Sequence, residues 1–201
     1  MIKVAFVANT PLLEGLGLGE EIDSYDIVYR TNMWPVLNKK DYGSKTNVIS
    51  VLREFHDRAR SYDVETLVFC DYDKKEDDGH VYLSREERKR CKNYLLNRYG
   101  FDVKWPTAGM MAWWLYRDHD FTYYGITGYQ NDKKKVVSHS ELDHYSREYK
   151  KWAGNHNVER WKRANMNNYV FHDFEAQNKI MKMMLNEGII KMHESSLKYF
   201  Q

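Results

Sequence analysis

The chain has 201 residues, with 31 Lys and Arg against 29 Asp and Glu, for a formal net charge of +2. A balance so close to neutral excludes the global field that draws a basic protein to nucleic acid, and no nucleic-acid partner is expected. The length suits one domain spanning residues 1–201, able to bury a core without disulfides or metals, and the two cysteines, Cys70 and Cys91, are too few for a disulfide framework and suit a reducing, cytoplasmic setting.

The chain opens directly on an apolar strand at residues 2–8, without a basic leader or a long apolar run, so no stable membrane insertion is expected. A polar turn at Asn9-Thr10 follows, and then Gly15, Gly17 and Gly19 supply backbone donors and small residues where a nucleotide phosphate or sugar can come close. A second strand ends at Arg30-Thr31-Asn32, a third covers residues 46–52, and a short polar helix covers residues 54–61. Thr66-Leu67-Val68-Phe69-Cys70 is a continuous apolar run of strand length, the pattern of a parallel strand buried on both faces. An acidic, Lys-containing loop follows, with Asp71-Tyr72-Asp73 at its start. Ser84 with Glu87 three residues later opens a helix that Gly100 stops at Tyr99, with Leu95 and Leu96 on its inner face.

Residues 101–105 read as a short strand delivering Pro106-Thr107-Ala108-Gly109, where an apolar helix over 110–116 begins. Its free N-terminal amides, the Thr107 hydroxyl and the Gly109 backbone suit an anion. A strand over 121–125 comes next, then a polar turn over 126–138, a helix over 141–152 and a poorly patterned stretch up to Asn168, expected as an ordered or ligand-ordered loop. A strand edge over 168–171 leads to His172, Asp173 caps a helix over 174–187 with Phe174, Ile180, Met181, Met184 and Leu185 as its apolar stripe, and Gly188 ends it before a last strand over 189–192. Strands alternating with helices predict an α/β layer fold with a central, mostly parallel sheet flanked by helices. Aromatic residues make up 15% of the chain, including 16 Tyr. Such rings build cores and also stack on sugar faces while their polar tips bond hydroxyls.

Four ordered blocks in this sequence resemble the sialyl motifs of the eukaryotic-type sialyltransferases, glycosyltransferase family 29. The large motif is matched by residues 4–46, through Asn9, the stretch Glu21 to Asn32, and Asp41-Tyr42-Gly43-Ser44-Lys45-Thr46. Pro106-Thr107-Ala108-Gly109-Met110-Met111-Ala112 with Tyr123-Tyr124-Gly125-Ile126 is similar to the small motif, His144-Tyr145 to the short His-Tyr element, and His172-Asp173-Phe174-Glu175 to the very short motif. Two departures stand out. The family's Glu follows its His with four residues between, where this chain has Gln177; a two-residue shortening would align Glu175 with it instead. The family's cysteine pair joining the large and small motifs is absent, because Cys70 and Cys91 both lie between them, as suits a short bacterial or viral cytoplasmic relative.

The resemblance implies a single-domain Rossmann-like (GT-A-variant) glycosyltransferase. It would transfer sialic acid from CMP-sialic acid to the hydroxyl of a glycan or glycolipid acceptor, with inversion and without a cofactor or metal. Asn9, Thr10 and Asn32 would hold the nucleotide, and Thr107, Ala108 and Gly109 its phosphate or the donor carboxylate. His172 would be the general base, Glu175 would stand in for the family's Glu, and His144 would support the departing phosphate, with His139 close enough in sequence to compete for that role.

Other readings of the residues stay open. Asp71-Tyr72-Asp73 at a strand end is how a metal-dependent enzyme presents carboxylates to a divalent cation bridging a nucleoside diphosphate sugar. A non-catalytic nucleotide- or glycan-binding protein would keep the fold without turnover. A dinucleotide oxidoreductase fits poorly, since Gly15-Leu16-Gly17-Leu18-Gly19 has the wrong glycine spacing and Asp23 comes too early for a ribose carboxylate. A zinc site on His139 and His144 lacks further ligands. Acceptor, linkage and oligomeric state leave no pattern in the sequence.

Overall fold

A computed structural model describes residues 1–31, 36, 38–51, 64–70, 78–128, 130 and 172–201. Seven strands form one sheet: β1 (Lys3–Val7), β2 (Ile27–Thr31), β3 (Val48–Val51), β4 (Thr66–Cys70), β5 (Val81–Leu83), β6 (Asp120–Tyr124) and β7 (Lys191–Met192). The order across the sheet is β5-β4-β3-β2-β1-β6-β7, and every neighbouring pair is parallel. The helices are α1 (Gly19–Asp23), α2 (Lys39–Tyr42), α3 (Arg85–Tyr99), α4 (Ala108–Leu115), α5 (Phe174–Asn186) and α6 (Glu194–Phe200). The α/β, Rossmann-like architecture predicted from the sequence is the one observed.

The alternation of side chains along each strand explains why both faces must be covered. On β1, Val4 and Phe6 point to the face that meets Leu95 of α3, Met110 and Met111 of α4, and Ile180 and Met184 of α5. Ala5 and Val7 point to the other, against Leu13, Ile22, Tyr42 and Tyr124. Ser84 Oγ accepts the Glu87 amide at 3.2 Å and Asp173 Oδ1 accepts the Ala176 amide at 2.9 Å, so both predicted caps are in place. Gly100 and Gly188 adopt φ of 78° and 70° and end α3 and the turn after α5.

Three local expectations change. Leu96 is exposed, because the inner face of α3 runs through Arg88, Cys91, Leu95 and Tyr99, and adjacent helical residues diverge by about 100°. Residues 101–105 are not a strand. They form an isolated antiparallel bridge between Lys104 and His172, with Lys104 at φ 56°, a left-handed turn that breaks extended pairing. The C-terminal helix α6 has no counterpart among the predicted elements. The helices predicted over 54–61 and 141–152, the strand edge over 168–171 and the loop between them lie outside the described residues.

Candidate active site

In an open parallel sheet the ligand crevice lies beyond the carboxyl ends of the strands, where the order reverses. Here β2 to β5 run to one side of β1 and β6 and β7 to the other, so the reversal falls between β1 and β6. The residues leaving those strands are Asn9 and Thr10, and Gly125 and Ile126.

Asn9 is 7% exposed; its Nδ2 donates to the Thr31 carbonyl at 2.9 Å, and its Oδ1 is buried with no hydrogen-bond partner. A buried acceptor left unmatched is costly unless a water or ligand donates to it. Thr10 turns inward. Its Oγ1 caps the 3-10 turn Pro11–Leu13 by accepting from Leu12, and its carbonyl accepts the Tyr42 hydroxyl at 2.5 Å. A Cβ on Gly125, at φ 72°, would stand 2.3 Å from Thr10 Cγ2, so glycine is what lets the ends of β1 and β6 close on each other. Asn32 lies outside the described residues.

The glycine run does not leave an open cradle. The amides of Gly15 and Gly17 donate to the two carboxylate oxygens of Asp41, at 2.7 and 2.8 Å, so the anion in this nest is the chain's own. Gly19 allows a different closeness: its Cβ would lie 2.1 Å from the Lys39 carbonyl oxygen, where α1 meets α2. The rest of the Asp41 to Thr46 block is tied down in the same manner. Asp23 accepts the Ser44 and Lys45 amides and the Ser44 hydroxyl at 2.8–2.9 Å. The fully buried Arg30 donates to Thr46 Oγ1 and to the Tyr42 and Lys45 carbonyls. Burial pushes the Arg30 guanidinium down to about 10 against the opposing pull of Asp23, so it keeps its charge at neutral pH. Burial raises Asp41, but the Gly15, Gly17 and Asn38 hydrogen bonds outweigh it and hold the carboxyl below its ordinary range. Asp23 follows the same balance, with the Ser44 and Lys45 bonds prevailing.

The second and fourth blocks meet. Thr107 is the N-cap of α4, its Oγ1 accepting the Met110 amide at 3.5 Å, so the helix begins two residues earlier than predicted and includes Ala108 and Gly109. Among the described residues the Ala108 and Gly109 amides have no acceptor. Tyr123 donates its hydroxyl to the Gly109 carbonyl at 2.9 Å, and Gly109 packs against the rings of Phe6 and Tyr123, which ties the small-motif turn to β1 and β6. His172 Nδ1 lies 2.5 Å from the Trp105 carbonyl oxygen, and the Asp173 amide donates to the Val103 carbonyl at 3.2 Å. A carbonyl can only accept, so Nδ1 carries a proton, and in the neutral ring Nε2 then holds the lone pair. Glu175 is exposed on the first turn of α5, whereas Gln177, 3% exposed, accepts the Thr107 amide on Oε1 at 3.2 Å. The contact to the small-motif turn is therefore made by the fifth residue after His172. No pattern in the sequence marked Gln177 beyond its spacing from that histidine.

His144, His139 and the Asp71-Tyr72-Asp73 group lie outside the described residues. Among the described residues no cluster of three or more His, Cys, Asp or Glu forms a metal site, and no helix is long and apolar enough to cross a membrane.

The sheet is all parallel and of Rossmann-like type, with Asn9 at its switch point and the Thr107 turn tied to β6 through Tyr123 and adjoining the His172 tether at Trp105. The family model of glycosyltransferase family 29 (sialyltransferase) matches residues 1–75. The alpha-N-acetylgalactosaminide alpha-2,6-sialyltransferase 1 of Gallus gallus is 22% identical over 236 aligned residues, covering 97% of this chain and 40% of that protein. The chain thus spans well under half the length of that curated relative. The crystal structure of a mammalian sialyltransferase in complex with Gal-beta-1-3GalNAc-ortho-nitrophenol superposes with a TM-score of 0.59 at 16% identity, covering 96% of this chain and 69% of the other. A variant of the sialyltransferase CST-II in complex with CMP gives 0.52 at 13% identity, covering 96% and 80%. These two likenesses bear on the fold.

Proposed function

We propose that this chain is an inverting sialyltransferase that moves sialic acid from CMP-sialic acid to a glycan or glycolipid hydroxyl without a metal. The observation that carries this reading is the tether of His172 to Trp105, two residues before the Thr107 turn, in the tautomer that leaves Nε2 as a proton acceptor. In the proposed step the acceptor oxygen attacks the anomeric carbon as the bond to the CMP phosphate oxygen breaks. The proton of the attacking hydroxyl passes to His172 Nε2, and the electron pair leaves with CMP. The unmatched Oδ1 of Asn9 suits a donor on the nucleotide, and the amides of Ala108 and Gly109 suit its phosphate or the sugar carboxylate. Asn32 completes the nucleotide site, and His144 supports the leaving phosphate. Because the transition state is oxocarbenium-like, positioning and electrostatic support of the leaving group carry most of the rate. Cys70 and Cys91 are buried thiols in β4 and α3, in keeping with a reducing, cytoplasmic setting.

Isothermal titration with CMP and with UDP, each in EDTA and then with Mn2+, tests the donor assignment. CMP is expected to bind in EDTA with no gain from Mn2+. Binding of UDP only in the presence of Mn2+ would move the site to Asp71 and Asp73 and reject the assignment.

A further inference from the structure

The carbonyl that engages His172 belongs to a turn of unusual geometry. The Trp105 amide donates to the Val103 carbonyl at 2.6 Å, which closes a three-residue γ-turn with Lys104 at its centre and φ 56°. Among the described residues Lys104 alone combines a side chain with a positive φ. A γ-turn of this hand is rare and strained, and such a conformation persists only where its surroundings hold it. Three anchors do so here. Val103 is fully buried in the core, and Asp102 accepts the Lys104 amide at 2.7 Å while pairing with Lys92 of α3 at 3.0 Å. At the far end the Arg88 guanidinium of α3 lies over the Trp105 ring, 5.3 Å from its centroid.

The anchored turn grips the start of α5 twice. Its Val103 carbonyl accepts the Asp173 amide at 3.2 Å, and its Trp105 carbonyl lies 2.5 Å from His172 Nδ1. In an extended antiparallel pair the amide and carbonyl of one residue are both spent on the facing backbone. Here the Trp105 amide closes on Val103 and the Trp105 carbonyl goes to an imidazole. We propose that Lys104 is a positioning residue, whose left-handed backbone aims the Trp105 carbonyl at His172 and so locks the proton of the neutral ring on Nδ1. Which nitrogen carries that proton is set by the hydrogen bonds around the ring. With the carbonyl misdirected, the proton is free to move to Nε2 and occupy the lone pair that accepts from the attacking hydroxyl. The effect on transfer rests on the reading of His172 as the base; the lock on the tautomer does not.

The test uses the full chain as wild type, Lys104→Val, Lys104→Gly and Asp102→Ala. Nitrogen NMR of the histidine rings, recorded above the ordinary imidazole pKa of about 6.5, reads the tautomer, with the His172 signals assigned by their loss in His172→Ala. Wild type should show a protonated Nδ1 and a bare Nε2. A β-branched residue resists positive φ, so Lys104→Val should move the proton toward Nε2 and lower kcat by about tenfold to a hundredfold, with KM for CMP-sialic acid and CMP affinity unchanged. Glycine adopts positive φ without a steric penalty, so Lys104→Gly should restore the wild-type tautomer and rate although it lacks the ammonium. Asp102→Ala alters an exposed side chain and frees the Lys104 amide, so it keeps the test open if the valine variant folds poorly. It should shift tautomer and kcat in the same direction and by less.

A proton that stays on Nδ1 in both Lys104→Val and Asp102→Ala would overturn the inference and leave the base reading standing. A tautomer shift in Lys104→Gly equal to that in Lys104→Val would also overturn it, by assigning the effect to the ammonium. A shifted tautomer with wild-type kcat would uphold the lock and reject His172 as the base.

Discussion

His172→Ala is expected to lower the rate of sugar transfer by about a hundredfold to ten-thousandfold, the usual contribution of a positioned general base, while CMP affinity barely changes. The reason is the division of labour on the imidazole. Nδ1 is engaged by the Trp105 carbonyl at 2.5 Å and holds the ring; in the proposed step Nε2 takes the proton. His172→Asn separates the two functions, since its Nδ2 can stand in for Nδ1 as the donor to Trp105 but provides no base. The asparagine variant should therefore unfold at the same denaturant concentration as wild type and still fail to transfer sugar. Asn32→Ala, in contrast, should weaken nucleotide binding. Loss of CMP affinity in His172→Ala equal to that in Asn32→Ala would make His172 a structural residue.

Asp41→Ala is expected to cost about 3 kcal/mol of stability, from the loss of hydrogen bonds to a charged acceptor whose donors then stay behind in a part-buried turn. The two glycine amides and Asn38 Nδ2, at 2.6–2.8 Å, lose their acceptor together, and the start of the chain separates from the turn into β3. The pH dependence has a definite sign. The carboxyls of Asp41 and Asp23 are held below their ordinary value, so the unfolded chain binds more protons than the folded one across that interval. Their stabilisation is complete above the ordinary carboxylate range of about 4, and it is lost as the pH falls from there through the depressed folded values. Urea unfolding across this range should show a steep acid limb in wild type and a shallower one in Asp41→Ala. Parallel acid limbs in the two proteins would show that Asp41 is not the anion that holds the glycine turn.

The same contacts mark what the sequence could and could not disclose. The strand over Thr66–Cys70 and the caps at Ser84 and Asp173 were legible because their signals are local: an apolar run, or an oxygen three residues from the amide that it accepts. The glycine run was misread because its partner, Asp41, is 24 and 26 residues away, and nothing near the glycines says whether a ligand or the chain itself will fill a nest. Arg30 reads only as a strand-end residue, yet it is fully buried and clamps the Tyr42 to Thr46 turn, a role set by tertiary packing. The four family-like blocks gave the fold correctly. Much of the large-motif block, however, braces the site and does not line it. Gln177 was legible only as a departure from the family's spacing, for a related reason. A change from acid to amide at one spacing carries no visible consequence until Thr107, 70 residues earlier, is seen against it.

The most direct test of the sialyltransferase reading is release of CMP from CMP-sialic acid in EDTA, with and without a panel of galactose- and N-acetylgalactosamine-terminated acceptors, for wild type and His172→Ala side by side. Acceptor-dependent CMP release by wild type, lost in the variant and indifferent to added Mn2+, is the expected result. Release that requires Mn2+, or a wild type that binds CMP-sialic acid and turns over none of it with any acceptor of the panel, would contradict the assignment and leave a metal-dependent or a non-catalytic protein in its place.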